Sequence, residues 1–142
     1  MDTAEYKGLV EDFDGLFHTQ ELDRLDTLCT PDMVNHSLAP SRPQGLEGTR
    51  EFLRSAGRQF ANDHWTSVTV LADGDLVVQF GERGGNWAGG PFLGVELAAG
   101  TYARSFAAMY RIADGRIAER WAVRDDLGMM RQLGATVVGT TP

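Results

Sequence analysis

Apolar positions recur at two different spacings along this chain, and the change from one to the other divides it. Tyr6, Leu9, Val10, Phe13, Leu16 and Phe17 fall three and four residues apart, which predicts an amphipathic first helix. Asp2, with Glu5 three residues later, supplies a capping signal for it. Leu22, Leu25, Leu28 and Cys29 share one face of a second, short helix. Thr30-Pro31-Asp32 ends that helix, because a proline biases the residue before it away from helical angles. Residues 33–38 then read as a short strand, 40–45 as a loop and 46–61 as a third helix, with Leu46, Phe52, Leu53, Ala56 and Phe60 facing inward. From Trp65 onward the period falls to two. Residues 65–71 alternate and stop at Ala72-Asp73-Gly74-Asp75, a hairpin signal, and 76–81 follow as its partner. Residues 101–112 and 116–124 form a second hairpin around Asp114-Gly115, and a last helix covers 126–133 before Gly134.

Helices first and strands afterwards indicate an α+β fold. Three amphipathic helices are accommodated most simply if a curved antiparallel sheet wraps around the N-terminal helices, giving a cone-shaped α+β barrel with an apolar interior. The expected organisation is one domain over residues 1–134 and a loose C-terminal tail over 135–142. Residues 81–100 break the pattern: they hold seven of the seventeen glycines, with Trp87 and Phe92, and read equally as a lid or as a wide hairpin end.

The 142 residues are 42% hydrophobic and 23% charged, ordinary for a single globular domain. The net charge of −7 argues against nucleic acid and against an anionic membrane surface as partners. Twelve of the thirteen basic residues are arginine, a hint of a GC-rich bacterial source. One cysteine, Cys29, excludes an internal disulfide. The acidic N-terminus has no apolar signal-peptide core, and no apolar run reaches the roughly 20 residues of a membrane span, so a cytoplasmic location is expected.

Candidate chemistry is sparse. Gly84-Gly85 and Gly89-Gly90 lack the context of a dinucleotide fingerprint, and no phosphate loop or nucleophile elbow is present. His18, His36 and His64 have no metal-ligand spacing, so neither metal nor other cofactor is expected. Asn35 on its strand either faces the interior as a ligand-orienting amide or makes a structural hydrogen bond. His64 beside Asp63 is either a dyad or, more simply, a charged helix end. Asp125 and Asp126 read first as an N-cap and a first-turn charge. Arg124 reads as part of a solvated face. Arg120 and Ala122 share a strand face with it, and Arg104, Phe106, Ala108 and Tyr110 line the matching face of the paired strand. With Asn35, these outline a mostly apolar pocket holding one or two cations, suited to a flat aromatic or polyene-like molecule.

Several segments, taken in order, resemble the SnoaL-like polyketide cyclases of the nuclear-transport-factor-2-like superfamily. They are residues 33–37, Pro43-Gln44-Gly45-Leu46-Glu47-Gly48, Gly90-Pro91-Phe92-Leu93-Gly94-Val95 with Gly100, residues 110–119, and Trp121, Asp125 and 128–134 with Arg131-Gln132-Leu133-Gly134. The resemblance implies a helix-closed α+β barrel, a homodimer, a hydrophobic cavity, and cofactor-free ring closure by intramolecular aldol condensation. In that family a cavity carboxylate moves the proton, at the end of a Glu-His-Trp-Asp run. Here the run is Glu119-Arg120-Trp121-Ala122, and a second polar cavity position is Ala108. A methyl group cannot transfer a proton. The expectation is therefore a cyclase for a bulky polyketide-type intermediate that works by substrate shaping and carbonyl polarisation. Arg120 polarises, Asn35 orients and His64 stands as a further catalytic candidate. Trp65, Trp87, Phe106, Ala108, Tyr110, Ala122, Arg104 and Met33 form the binding surface. A hydroxylase-type or epoxide-opening relative and a non-catalytic small-molecule binding module are the alternatives.

Overall fold

The computed structural model describes residues 2–136 and 138. Part of the expected 135–142 tail, residue 137 and residues 139–142, lies outside them. The first helix, α1 (Thr3–Thr19), begins in a capping box. The Asp2 side chain accepts from the Glu5 backbone N–H at 2.9 Å, and the Glu5 side chain accepts from the Asp2 N–H at 3.2 Å. A 3-10 turn (Leu22–Arg24) runs into the short α2 (Leu25–Leu28), and β1 (Cys29–Asn35) follows at once. This strand starts four residues earlier than the sequence pattern suggests. Pro31 is tolerated in it because β1 is the edge of the sheet.

After α3 (Gly45–Gln59) come β2 (Phe60–Asp73), β3 (Leu76–Trp87), the small strands β4 (Gly90–Phe92) and β5 (Val95–Leu97), then β6 (Gly100–Ala113), β7 (Arg116–Arg124) and α4 (Asp126–Gln132). The main sheet has the order β1-β7-β6-β3-β2 and is antiparallel except for the parallel β1–β7 pair. The turn between β6 and β7 places Asp114 and Gly115 at φ 52° and 74°, as a type I′ hairpin requires.

Two expectations change. Helix α3 stops at Gln59, so Asp63 and His64 lie in β2 and not at a helix end. Phe60 starts the strand because its ring packs against Trp87, Tyr102 and Phe92. The glycine-rich 81–100 segment is mostly regular. Strand β3 continues to Trp87, and β4 and β5 form a separate two-stranded hairpin. Glycine is needed at position 81, where an added Cβ would lie 2.0 Å from the Ser67 carbonyl oxygen at the β-bulge of β2.

The sheet curves around the helices. Helix α1 packs on β2, β3 and β7, and α3 on β1 and β2. One core cluster gathers Val10, Phe13, Leu16, Leu25, Val77 and Ile117, and a second gathers Phe60, Trp87, Leu97, Tyr102 and Met129. Phe17 and Phe52 touch both clusters, so the space they border lies between them. No helix among the described residues is long and apolar enough to cross a membrane.

Candidate active site

Strand register decides which side chains meet on the concave face. Val77, Tyr110 and Arg120 are aligned across β3, β6 and β7, and the next inward row is Gln79, Ala108 and Ala122. The third row, Gly81, Phe106 and Arg124, is followed by Arg83 directly opposite Arg104. The small Ala122 leaves a gap between the Arg120 row and the Phe106 row, while Ala108 beside it is buried in the core. A pocket of about 230 Å³ opens there, with Phe13, Phe17, Phe52 and Phe106 among its walls. A second space of about 270 Å³ shares Ser37, Phe52 and Arg124 with it and runs out under Phe92 and Leu93 of the β4–β5 hairpin.

The lining is far more polar than the sequence suggests. Four arginines (83, 104, 120 and 124) and three aspartates (14, 63 and 126) border the inner pocket. Two like charges facing each other across adjacent strands repel. Asp63, 1% exposed, resolves this for Arg83 and Arg104. Its carboxylate accepts from Arg83 Nε and from the Tyr102 hydroxyl, and lies 4.0 Å from Arg104 Nη2. Arg83 Nη1 also donates to both oxygens of Asp14, at 2.9 and 3.0 Å, and its guanidinium sits 4.8 Å from the Trp65 ring centre. Burial opposes the charge on Arg83, but Asp14 and Asp63 together hold its pKa above the ordinary value. Arg104 donates to Asp126 at 3.2 Å and lies 4.7 Å from the Phe60 ring centre. Burial, reinforced by nearby Arg124, lowers its pKa. Burial and the bond to Asp63 raise the Tyr102 pKa, which keeps that phenol a donor.

Arg120 differs from these. It is 6% exposed and borders the pocket, yet no carboxylate among the described residues pairs with it. Its Nη1 donates to Ser37 Oγ at 2.7 Å and its Nε to the Tyr110 hydroxyl at 3.2 Å. Burial pushes the Tyr110 pKa up, so that acceptor is a neutral phenol. The Cys29 thiol, which also feels Arg120, is pushed up to about 12 by burial and stays protonated. The guanidinium lies 5.5 Å from the Phe13 ring centre.

The remaining sequence candidates separate into groups. Arg104, Phe106 and Ala122 border the pocket with Arg120. Trp65 stands behind the lining: its indole N–H donates to Asp14 at 3.1 Å and its ring packs edge-on to Phe106. Ala108, Tyr110 and Met33 are buried in the first core cluster. Asn35 does not reach the pocket. Its amide donates to Thr49 Oγ1 at 3.0 Å and its Oδ1 accepts from the Ser37 hydroxyl at 2.6 Å, so it positions the residue that holds Arg120. Trp87 belongs to the second cluster, against Phe60 and Phe92. His64 is exposed, with Nδ1 2.7 Å from the Asn62 carbonyl oxygen, because irregular pairing on either side of it turns its side chain outward. Asp125 is the expected N-cap, accepting from the Gly128 N–H at 2.9 Å. Asp126 does more than carry a first-turn charge, since it binds Arg104 and Arg124. Arg124 is correspondingly half-buried at the pocket and not on a solvated face.

Sequence reasoning missed Asp14 and Arg83, and weighed Asp63 only as a partner for His64. Asp14 carries a usable signal, a carboxylate between Phe13 and Phe17 on the inward side of α1; Arg83 sits among glycines, where alternation is unreadable. Among the described residues no group of three or more His, Cys, Asp or Glu is placed to hold a metal.

Comparison with known proteins places the chain. The model of the SnoaL-like polyketide cyclase family matches residues 7–133. The structure of TsrD from Streptomyces laurentii superposes with a TM-score of 0.81 at 25% identity, over 96% of this chain and 99% of that one. IdmH from Streptomyces antibioticus, a proposed polyketide cyclase, gives 0.74 at 25% identity over 92% and 99%. A SnoaL-like polyketide cyclase from Agrobacterium tumefaciens, at 18% identity, shares the fold with a TM-score of 0.76 over 94% and 100%. No match is found among curated proteins.

Asp63→Ala removes the carboxylate between two facing guanidiniums. It should lower unfolding free energy by about 3–5 kcal/mol, the usual cost of stranding a buried charge. Urea denaturation checks this, and a loss below about 1 kcal/mol would show that Asp14 and Asp126 suffice without it.

Proposed function

Because the chain belongs to the SnoaL-like polyketide cyclase family, we propose that it closes a ring in a bulky hydrophobic polyketide-type intermediate of bacterial natural-product biosynthesis, in the cytoplasm and without a cofactor. The observation that carries this reading is Arg120, a buried, pocket-facing cation whose protein partners are both neutral. An uncompensated buried charge is costly unless an anion or a developing negative charge meets it. An aldol closure develops such a charge on the carbonyl oxygen under attack. Arg120 polarises that carbonyl, and the phenylalanine walls hold the chain folded so that the reacting carbons are near each other. Ser37 and Asn35 keep the guanidinium in place.

The convex face supports a homodimer. Leu71, Val78, Met109 and Trp121 form one apolar row across four strands, and Phe80, Ala107 and Val123 form the next. Leu71, Phe80 and Val123 are each more than 60% exposed in the single chain. Such a contiguous patch suits burial against a second copy. Sedimentation at micromolar concentration should give a dimer that Val123→Glu dissociates; a monomeric parent protein would contradict it.

The reaction is tested by incubating the protein with aromatic polyketide intermediates that have one ring still open, with no cofactor added. The expected product is isomeric with the substrate, or lighter by one water. Arg120→Met should keep its melting temperature and lose about two to three orders of magnitude in turnover, as when an oxyanion donor is removed. A product one oxygen heavier points to hydroxylase-type chemistry, and saturable binding without turnover points to a non-catalytic binder. A stable, fully active Arg120→Met variant contradicts the role of Arg120.

A further inference from the structure

A second charged surface lies outside the pocket, on the exposed side of α3. Charge is spread unevenly along the chain. Residues 1–36 hold nine acids and two bases, whereas residues 37–60 hold four arginines and two glutamates. All six of the latter (Arg42, Arg50, Arg54, Arg58, Glu47 and Glu51) line one shallow groove of about 740 Å³. Arg50 is occupied by Asp26, Glu47 and the Leu22 carbonyl. Arg42, Arg54 and Arg58 are exposed and pair with no carboxylate among the described residues. Arg54 and Arg58 stand one helical turn apart, a spacing at which like charges repel. Arg58 has a local reason, since the last turn of a helix favours a cation. Arg42 and Arg54 have none. Outside the pocket, the other cations that pair with no carboxylate among the described residues, Lys7, Arg116 and Arg131, stand singly on α1, β7 and α4.

The groove adjoins the way into the protein. It shares Arg42 and Ser55 with the outer space under Phe92 and Leu93, and that space shares Ser37, Phe52 and Arg124 with the inner pocket. Across the outer space stands the tip of the β4–β5 hairpin. Phe92 pairs with Val95, so Leu93 and Gly94 form a two-residue turn, and both take positive φ, 50° and 80°. Such a turn favours asparagine or glycine at both places. Here a leucine occupies the first, 71% exposed and in a conformation its side chain disfavours. Free cations and an exposed apolar tip thus flank one mouth. A site for a small free anion would enclose its arginines; exposed charges around an apolar anchor match the surface of a protein interface. We propose that this face docks an acidic carrier protein that presents the polyketide intermediate as a thioester on a flexible arm. Carboxylates of its docking helix meet Arg42, Arg54 and Arg58, an apolar side chain of that helix packs on Pro91 and Leu93, and the arm enters through the outer space. The acidic remainder of the chain repels the carrier elsewhere and steers it to this side. The ring closes with the thioester bond intact. The proposal rests on the cyclase reading for its cargo, and on the charge and shape of this face for the docking.

The test titrates the acyl carrier protein of an aromatic polyketide synthase into the intact protein, with and without its phosphopantetheine arm. Free phosphopantetheine and phosphatidylglycerol vesicles serve as comparisons. Both carrier forms should bind, and raising salt from about 0.05 to about 0.3 M should weaken binding severalfold, as exposed charge pairs require. Arg54→Glu combined with Arg58→Glu should weaken carrier binding at least about tenfold. That variant should slow closure of a carrier-bound substrate correspondingly, while its melting temperature and its closure of the free substrate stay unchanged. Arg116→Glu, at the β6–β7 turn, should change none of these. Should the double variant not fold, Arg54→Gln alone should weaken binding at least about threefold. No binding at submillimolar carrier overturns the inference, as does binding that survives these substitutions. So does phosphopantetheine or the vesicle binding as tightly as the carrier. Closure of the free substrate without carrier binding defeats this inference alone; carrier binding at this face with no ring closure of either substrate leaves the docking standing and defeats the cyclase reading.

Discussion

One buried carboxylate between two facing guanidiniums organises the interior of this protein. Arg83 and Arg104 are direct cross-strand neighbours on β3 and β6, and they can share the concave face only because Asp63 of β2 sits between them. The same requirement recruits Asp14 from α1 and Asp126 from α4. Helix, sheet edge and C-terminal helix are thereby tied to one point, and the pocket opens beside it. Burying these charges is tolerable because each of the two guanidiniums meets carboxylate oxygens and aromatic faces.

That economy makes Arg120 the exception. It sits on the same concave surface, but its partners are a serine hydroxyl and a phenol. The contrast separates arginines that hold the fold together from one whose charge faces the pocket. It also bears on Ala122, which borders the pocket with Arg120, whereas Ala108 is packed into the core. Where a proton-transferring side chain is expected by resemblance, this chain has open space beside a cation. Charge stabilisation and shape are what the pocket can contribute in place of a base.

Much of this architecture is legible in the sequence, and the exceptions have physical causes. The α1 cap is a local pattern, Asp2 with Glu5, and local patterns survive folding. Arg120 is legible because, beyond the register shift that follows the Asp114-Gly115 turn, it alternates regularly with Ala122 and Arg124 along β7. Asp63 is not. Asn62 takes a left-handed φ of 57° and the β2–β3 register shifts on both sides of His64, so counting by twos assigns the wrong faces. Arg83 is hidden because glycines occupy positions 81, 84 and 85, leaving no apolar alternation to read. Asn35 is legible as a buried amide, but whether it faces a ligand or Ser37 depends on the chain path after β1, which no periodicity encodes.

The central claim is that Arg120 is the charge that receives an oxyanion. A crystal structure of the protein with 4-nitro-1-naphtholate bound tests it directly. The account predicts the ligand oxygen within hydrogen-bond distance of Arg120 Nη2, the ring against Phe13 and Phe106, and the Asp63 bonds to Arg83 and Tyr102 unchanged. A ligand oxygen placed on Arg104 or Arg124, with Arg120 contacting only Ser37 and Tyr110, would contradict it.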